Sequence, residues 1–208
     1  MIAFTRKLAA GVVLVAVVIC ALTVLSRGFW SLKVAESLTC TEDIGASDAV
    51  LLENFDPSFP LFKRAAELHR TGFAHRIFVP TPTGNPGDLP DSIAVALTNV
   101  MAEAAQIKKM DFIPIVEREP ITLSAAQQIR DFLTHENVRS VIVVTPGFRS
   151  ERSFRIYNKI FSRAGIQLRC APVFGRTNQK NWLNTWHGVQ EVALQVLKSA
   201  YYRLFVSV

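Results

Sequence analysis

Two arginines three residues apart, Arg149 and Arg152, follow an apolar run and a Pro-Gly break in the stretch from Ser140 to Ser153. That spacing puts both guanidinium groups on one face of a helix start. A guanidinium fork grips phosphate or carboxylate oxygens two at a time, which a lysine does not imitate. The free N–H groups and dipole of a helix start favour negative charge as well. Val141 to Val144 is β-branched and apolar and reads as a buried parallel strand. Thr145 ends that strand and Gly147 lets the backbone turn. The pattern predicts an anion site at the carboxyl end of a strand. The competing role is structural: Arg152 pairs with a buried acid such as Glu117 and holds two loops together.

Glu117 stands just after an expected strand at Phe112 to Ile115 and close to Thr122. It is the candidate catalytic residue, as a general base; the plain alternative is a solvated acid in Glu117-Arg118-Glu119. Glycine-rich nucleotide loops, a P-loop, a nucleophile elbow and a zinc-protease helix are all absent from the sequence. His69, His75, His135 and His187 lack ligand spacing, so no metal site is expected. No cofactor is expected either, and no Ser or Cys nucleophile is paired with a His by sequence.

These residues need a scaffold. Apolar runs at Val50 to Leu52, Ile77 to Val79, Phe112 to Ile115, Val141 to Val144 and Ile166 to Cys170 alternate with helical segments. The alternation predicts an α/β fold, a three-layer Rossmann-like domain with a mainly parallel sheet of about five strands. Right-handed crossovers then bring the loops after the strands to one edge. Glu53 and Asn54, Thr81, Glu117 and Thr122, and Thr145 to Arg152 converge there. Thr81 to Pro90 reads as an ordered or lid-like loop, and Asp91-Ser92 as a helix cap. Arg149, Arg152, Arg155, Lys159 and Arg163 occupy one arc of the helix after Thr145. That arc is either a solvated face or a stripe for anionic lipid head groups.

Leu8 to Leu25 carries no charge and follows Arg6 and Lys7. As a helix it spans roughly 27 Å, close to a hydrocarbon core. One amino-terminal transmembrane helix is therefore expected in residues 1–27, with the amino terminus in the cytoplasm. Residues 28–46 read as a juxtamembrane stem, with Phe29 and Trp30 at the membrane interface. Residues 47–208 form the domain, which would lie on the outer side, where nucleic acid is not expected as a partner. A cleaved signal peptide is the alternative, but the apolar run exceeds the usual 7–15 residues or so. An oxidising compartment would permit a bond between Cys40 and Cys170; two unpaired thiols are the other possibility. Charge is lopsided. Residues 139–208 hold eleven basic residues against two acids, while residues 41–138 hold eight against fourteen. The carboxyl-terminal part thus suits an anionic ligand, unless the two parts simply neutralise each other.

Thr145, Phe148 and Arg152 resemble the strand-turn-helix of the YdcF/SanA/ElyC-like family of bacterial proteins. Other pieces fall in the same order. Ser47 to Leu52 resembles the first strand, and Arg64 to Leu68 with Gly72 to Ala74 resembles the helix end that follows it. Glu117 with Thr122 resembles the polar loop, while Trp182, Lys198 and Tyr201-Tyr202 resemble the tail. Departures are Glu53 to Pro57, where a Gly-rich turn is usual, and Val79 to Pro82, where Ser-Gly-Gly is usual. The resemblance implies a role in cell-envelope upkeep on the bacterial cytoplasmic membrane. The ligand it implies is an anionic small molecule or a lipid-linked envelope precursor. Arg149, Arg152, Thr145, Thr122, Arg64 and Glu53 are the expected ligand-binding residues. Two further readings remain open: a non-catalytic binding or scaffold module with a degenerate site, and a hydrolase or transferase acting on a phosphorylated envelope precursor.

Overall fold

The structure is a computed structural model describing residues 2–55, 58–85 and 87–206; the side chains of residues 2–10 and of Cys20 lie outside that description. Helices α1 (Ile2–Leu25) and α2 (Arg27–Ser37) open the chain. Strict alternation follows, through β1 (Ala49–Leu52), α3 (Phe59–Arg70), β2 (Arg76–Thr83), α4 (Ser92–Ala104) and β3 (Asp111–Val116). It continues through α5 (Ile121–His135), β4 (Ser140–Pro146), α6 (Ser150–Phe161), β5 (Gln167–Val173) and α7 (Trp186–Phe205).

All five strands are parallel, in the order β3-β2-β1-β4-β5. Alternate strand residues feed two helical layers, as a two-residue side-chain period requires. Ala49, Leu51, Val141 and Val143 pack on Ile129 and Leu133 of α5 and Ile156, Tyr157 and Phe161 of α6. Val50, Leu52, Ile142 and Val144 face Leu61, Phe62, Ala65 and Leu68 of α3 on the other side. Burying each such large side chain contributes about 1.5–3 kcal/mol. The result is the three-layer Rossmann-like fold that the alternation predicts. From β1 the chain steps outward to β2 and β3, then returns to lay β4 and β5 on the opposite side of β1. The carboxyl ends of β1 and β4 are therefore neighbours whose connections leave in opposite directions, which opens a crevice between them.

One local expectation changes. Strand β2 runs on through Pro80-Thr81-Pro82 to Thr83, so the segment from Thr81 is not loop until after Thr83. Past Phe78, β2 pairs only with β3. Pro80 and Pro82 share one parity, so their missing N–H groups can face the open side without cost to the ladder. Asp91 does cap α4, its carboxylate accepting Ile93 N–H at 2.8 Å and Ala94 N–H at 3.0 Å. At the amino edge of the sheet, Asp48 accepts the N–H groups of Arg139 and Ser140 and the Ser140 hydroxyl. Its carboxyl pKa is lowered, chiefly by the Arg139 N–H, against an opposing desolvation.

The expected stem is mostly the helix α2, and it is docked rather than free. Ala35 and Leu38 pack with Phe148, Trp182 and Val192 over the carboxyl edge of the sheet. Trp182 donates its indole N–H to the Ser31 carbonyl at 3.1 Å, and Trp30 meets Trp182 edge-on at 6.2 Å. Cys40 and Cys170 form a disulfide, which ties the end of this segment to β5. Among the described residues no single helix is long and apolar enough to cross a membrane. Gly11–Leu25 and Arg27–Ser37 pass that test together, as a pair bent by 65°. Leu8 to Ala10 of the expected span lie outside the described side chains.

Candidate anion-binding site

Strand β1 delivers Glu53 to the crevice as the first residue past its end, and the side chain is fully buried. Its backbone N–H continues the ladder to the Val144 carbonyl at 2.9 Å. Its carboxylate accepts the Thr145 hydroxyl and, at 2.9 Å, the Ser153 hydroxyl. Arg149 Nε lies 3.5 Å from Glu53 Oε2. Tyr157 is buried beside this cluster. Burial first, then the Glu53 charge, raises its hydroxyl pKa well above the ordinary value.

Pro146 ends β4, a single 3-10 turn spans Gly147–Arg149, and α6 begins at Ser150. Gly147 is required by close approach rather than by the turn's torsion angles. A Cβ there would stand 2.2 Å from the Phe174 ring, inside any real contact. The turn aims Arg149 and Arg152 into one cavity of ≈ 340 Å³, which Phe55, Glu117, Thr122, Lys198 and Tyr202 also line. Only 4% of Arg152 is exposed, and its Nε and Nη1 have no hydrogen-bond partner among the described residues. Its guanidinium lies over the Tyr202 ring, 5.3 Å from the centroid. Desolvation lowers the Arg152 pKa; the Glu53 charge opposes this and neighbouring Arg149 adds to it. The arginines therefore repel each other across a space that faces solvent through exposed Glu117, Glu119, Lys198 and Tyr201.

Expected site residues thus divide. Arg149, Arg152, Thr122 and Glu117 share the cavity. Glu53 and Thr145 lie behind it and hold Arg149 and each other, without lining it. The Arg152–Glu117 tether is not formed among the described residues: Glu117 is exposed at the rim, and Arg152 is buried. Arg64 does not line the cavity: its guanidinium bonds Glu67 at 2.9 Å and Glu42 at 2.6 Å. The expected basic arc of α6 also divides, with Arg149 and Arg152 buried and Lys159 and Arg163 exposed. Among the described residues no three His, Cys, Asp or Glu side chains stand close enough to hold a metal ion.

No protein-family model matches this chain, and no curated protein does. Among solved structures it is similar to the universal stress protein from Archaeoglobus fulgidus in complex with dAMP. Identity is 14% and the TM-score 0.35, over 62% of this chain and 98% of that one.

Several cavity residues stand outside the expected ligand-binding set: Phe55, Glu119 and Ile121, and Lys198, Tyr201 and Tyr202, which carry only the family likeness of the tail. Tyr202 matters most among them. Its hydroxyl accepts the Thr122 N–H at 3.2 Å, pinning α7 to the first turn of α5 while its ring covers Arg152. The signal available was the spacing of Lys198, Tyr201 and Tyr202, which places them on adjoining faces of one helix. Ser153 was also missed; it sits one turn past Arg149, at the spacing that turns it back toward the crevice.

Proposed function

We propose that this protein is a membrane-anchored binding domain on the outer side of a bacterial cytoplasmic membrane, taking a phosphate-like or carboxylate anion in the cavity before Arg149 and Arg152. The observation that carries the binding reading is Arg152. A guanidinium 4% exposed, with two nitrogens lacking partners among the described residues, holds a desolvated charge that those residues only partly compensate. An anion entering the cavity would supply the missing acceptors and relieve the repulsion from Arg149.

Two observations support the location. The large apolar side chains described on α1 between Val12 and Leu25 are 48–83% exposed, so no described residue buries them. The Cys40–Cys170 disulfide suits an oxidising compartment. The resemblance to YdcF/SanA/ElyC-like proteins adds a role in envelope upkeep, with an anionic small molecule or a lipid-linked precursor as ligand. A binding or scaffold module is favoured over a hydrolase or transferase by the seclusion of Glu53, which is sealed behind Arg149 and cannot reach a ligand. A catalytic reading would rest on Glu117 at the exposed rim.

The test uses the full chain in detergent and inorganic phosphate as probe. Phosphate should raise the melting temperature of the wild type by mass action. Arg152→Met should melt no lower than the wild type without phosphate and should gain nothing from it. Absence of phosphate protection in the wild type, with Arg152→Met several degrees less stable, would make Arg152 a structural tether and end the anion-site reading.

A further inference from the structure

Helix α7 has two apolar faces, and the described residues cover only one. Val192 packs against α2 and Phe148, and Tyr202 packs into the main core. On the opposite side Trp186, Leu197, Leu204 and Phe205 are 68–74% exposed, with Leu194 and Tyr201 about half exposed. At 100° per residue these six, with Ala193 and Ala200, fall within an arc of roughly 140° that runs the whole helix. Only His187 and Gln190 interrupt it with polar groups, and no acid lies on it. An apolar strip some 30 Å long is more than a solvated monomer ordinarily leaves bare.

We propose that this strip lies in the bilayer interface, giving the domain a second membrane contact beside its anchor. The inference rests on the reading of α1 as that anchor. Three observations commit the strip to lipid. Its first residue, Trp186, follows Leu183 and Asn184, which line one cavity with Thr23 and Val24 at the end of α1. The strip therefore begins where the anchor ends. Cations flank its carboxyl-terminal half, Lys198 on one side and Arg203 on the other, while partly buried Glu191 flanks its amino-terminal half. Arg203 stands close enough to Arg155 to help lower the Arg155 pKa, after the larger effect of burial. Anionic head groups would settle between such cations. Finally, Trp186 marks one end of the strip and Tyr201 and Phe205 the other, and Trp and Tyr in particular favour the membrane–water boundary. Lys198 and Tyr201 also line the mouth of the arginine cavity, so that mouth would open at head-group level.

The full chain, carrying Cys20→Ala to leave no free thiol, is placed in nanodiscs of phosphatidylethanolamine and phosphatidylglycerol. A nitroxide is attached at Leu197→Cys, Leu204→Cys or, as a control at an exposed position of α6, Asn158→Cys. Labels at 197 and 204 should collide several-fold more with oxygen than with a water-soluble nickel chelate, and the label at 158 should do the reverse. A Leu197→Glu and Leu204→Glu pair should return a label at Leu194→Cys to water. If the chain floats with the lipid and phosphate still protects it, but 197 and 204 report water, this docking alone is wrong. Spin–spin broadening between labels would assign the strip to a second copy and overturn it too. A chain that does not associate with lipid at all would sink the anchor and the docking together, leaving the phosphate result untouched.

Discussion

Thr145 and Glu53, ninety-two residues apart, meet at the carboxyl ends of adjacent strands, where the threonine hydroxyl donates to the buried carboxylate. The contact joins β4 to β1 at the point where the two halves of the sheet diverge. It also fixes the negative charge that stands behind both arginines.

Removing that charge should therefore be costly. Glu53→Ala leaves Arg149 and Arg152 buried with less compensation and orphans the Thr145 and Ser153 hydroxyls. Denaturant unfolding should register a loss of about 3–5 kcal/mol. Thr145→Val should cost less, about 1–3 kcal/mol. A Glu53→Ala protein as stable as the wild type would mean that the cluster does not hold the crevice together.

The two parts of Tyr202 can be separated. Tyr202→Phe keeps a ring over Arg152 but leaves the Thr122 N–H without its acceptor, at a cost of about 1–3 kcal/mol. Tyr202→Leu also removes the cation–π contact, for roughly a further 0.5–2 kcal/mol. Thermal melts of both variants would check the ordering, and equal losses would show that the ring contributes nothing.

Much of this architecture is legible from residue pattern alone. Five apolar runs alternating with helical segments identify the strands, and i, i+3 spacing pairs Arg149 with Arg152. Strand order is different in kind, because it depends on which crossover turns back, and no local run of residues encodes that. β2 beyond Val79 is hidden by its prolines, which are tolerated only because β1 has already ended. Glu53 reads in sequence as an ordinary acid in a loop after a strand. Its burial depends on Thr145, Ser153 and Arg149 arriving from about a hundred residues downstream. Arg64 illustrates the converse: family likeness selected it, while Glu42 and Glu67 had already claimed its charge.

Asp48 makes the amino edge of the sheet acid-sensitive. Its folded-state pKa lies below the unfolded value, so its contribution is fully present above the ordinary carboxylate range and fades as pH falls through and below it. Asp48→Asn should be less stable than the wild type near neutrality, and the gap should narrow on acidification. Melting curves from pH 7 down to about pH 3 would check the sign; a gap that widens in acid would contradict it.

The disulfide gives a stability prediction with a chemical readout. Closing a loop with a sequence separation of 130 stabilises by up to about 5 kcal/mol in the chain-entropy account. Cys40→Ala or Cys170→Ala should lower the denaturation midpoint accordingly. In protein from its native compartment, alkylation should reach Cys40 and Cys170 only after reduction. Two thiols alkylated without reductant would place the domain in a reducing compartment.

Topology is tested by a reporter fused to the carboxyl end. With Arg6 and Lys7 retained in the cytoplasm, only a reporter that works outside it should be active. Activity confined to a cytoplasmic reporter would remove the envelope reading.

The Cys40–Cys170 bond has a mechanical consequence as well. A pull between the two chain ends enters at Cys40 and leaves at Cys170 through the sulfur atoms, bypassing every residue between them. Strands β1 to β4 lie wholly inside that shunt, so tension cannot draw them out while the bond is intact. Stretched in an optical trap, the oxidised protein should yield only its two ends. Reduction should release roughly 440 Å of additional contour length, the reach of about 130 extended residues.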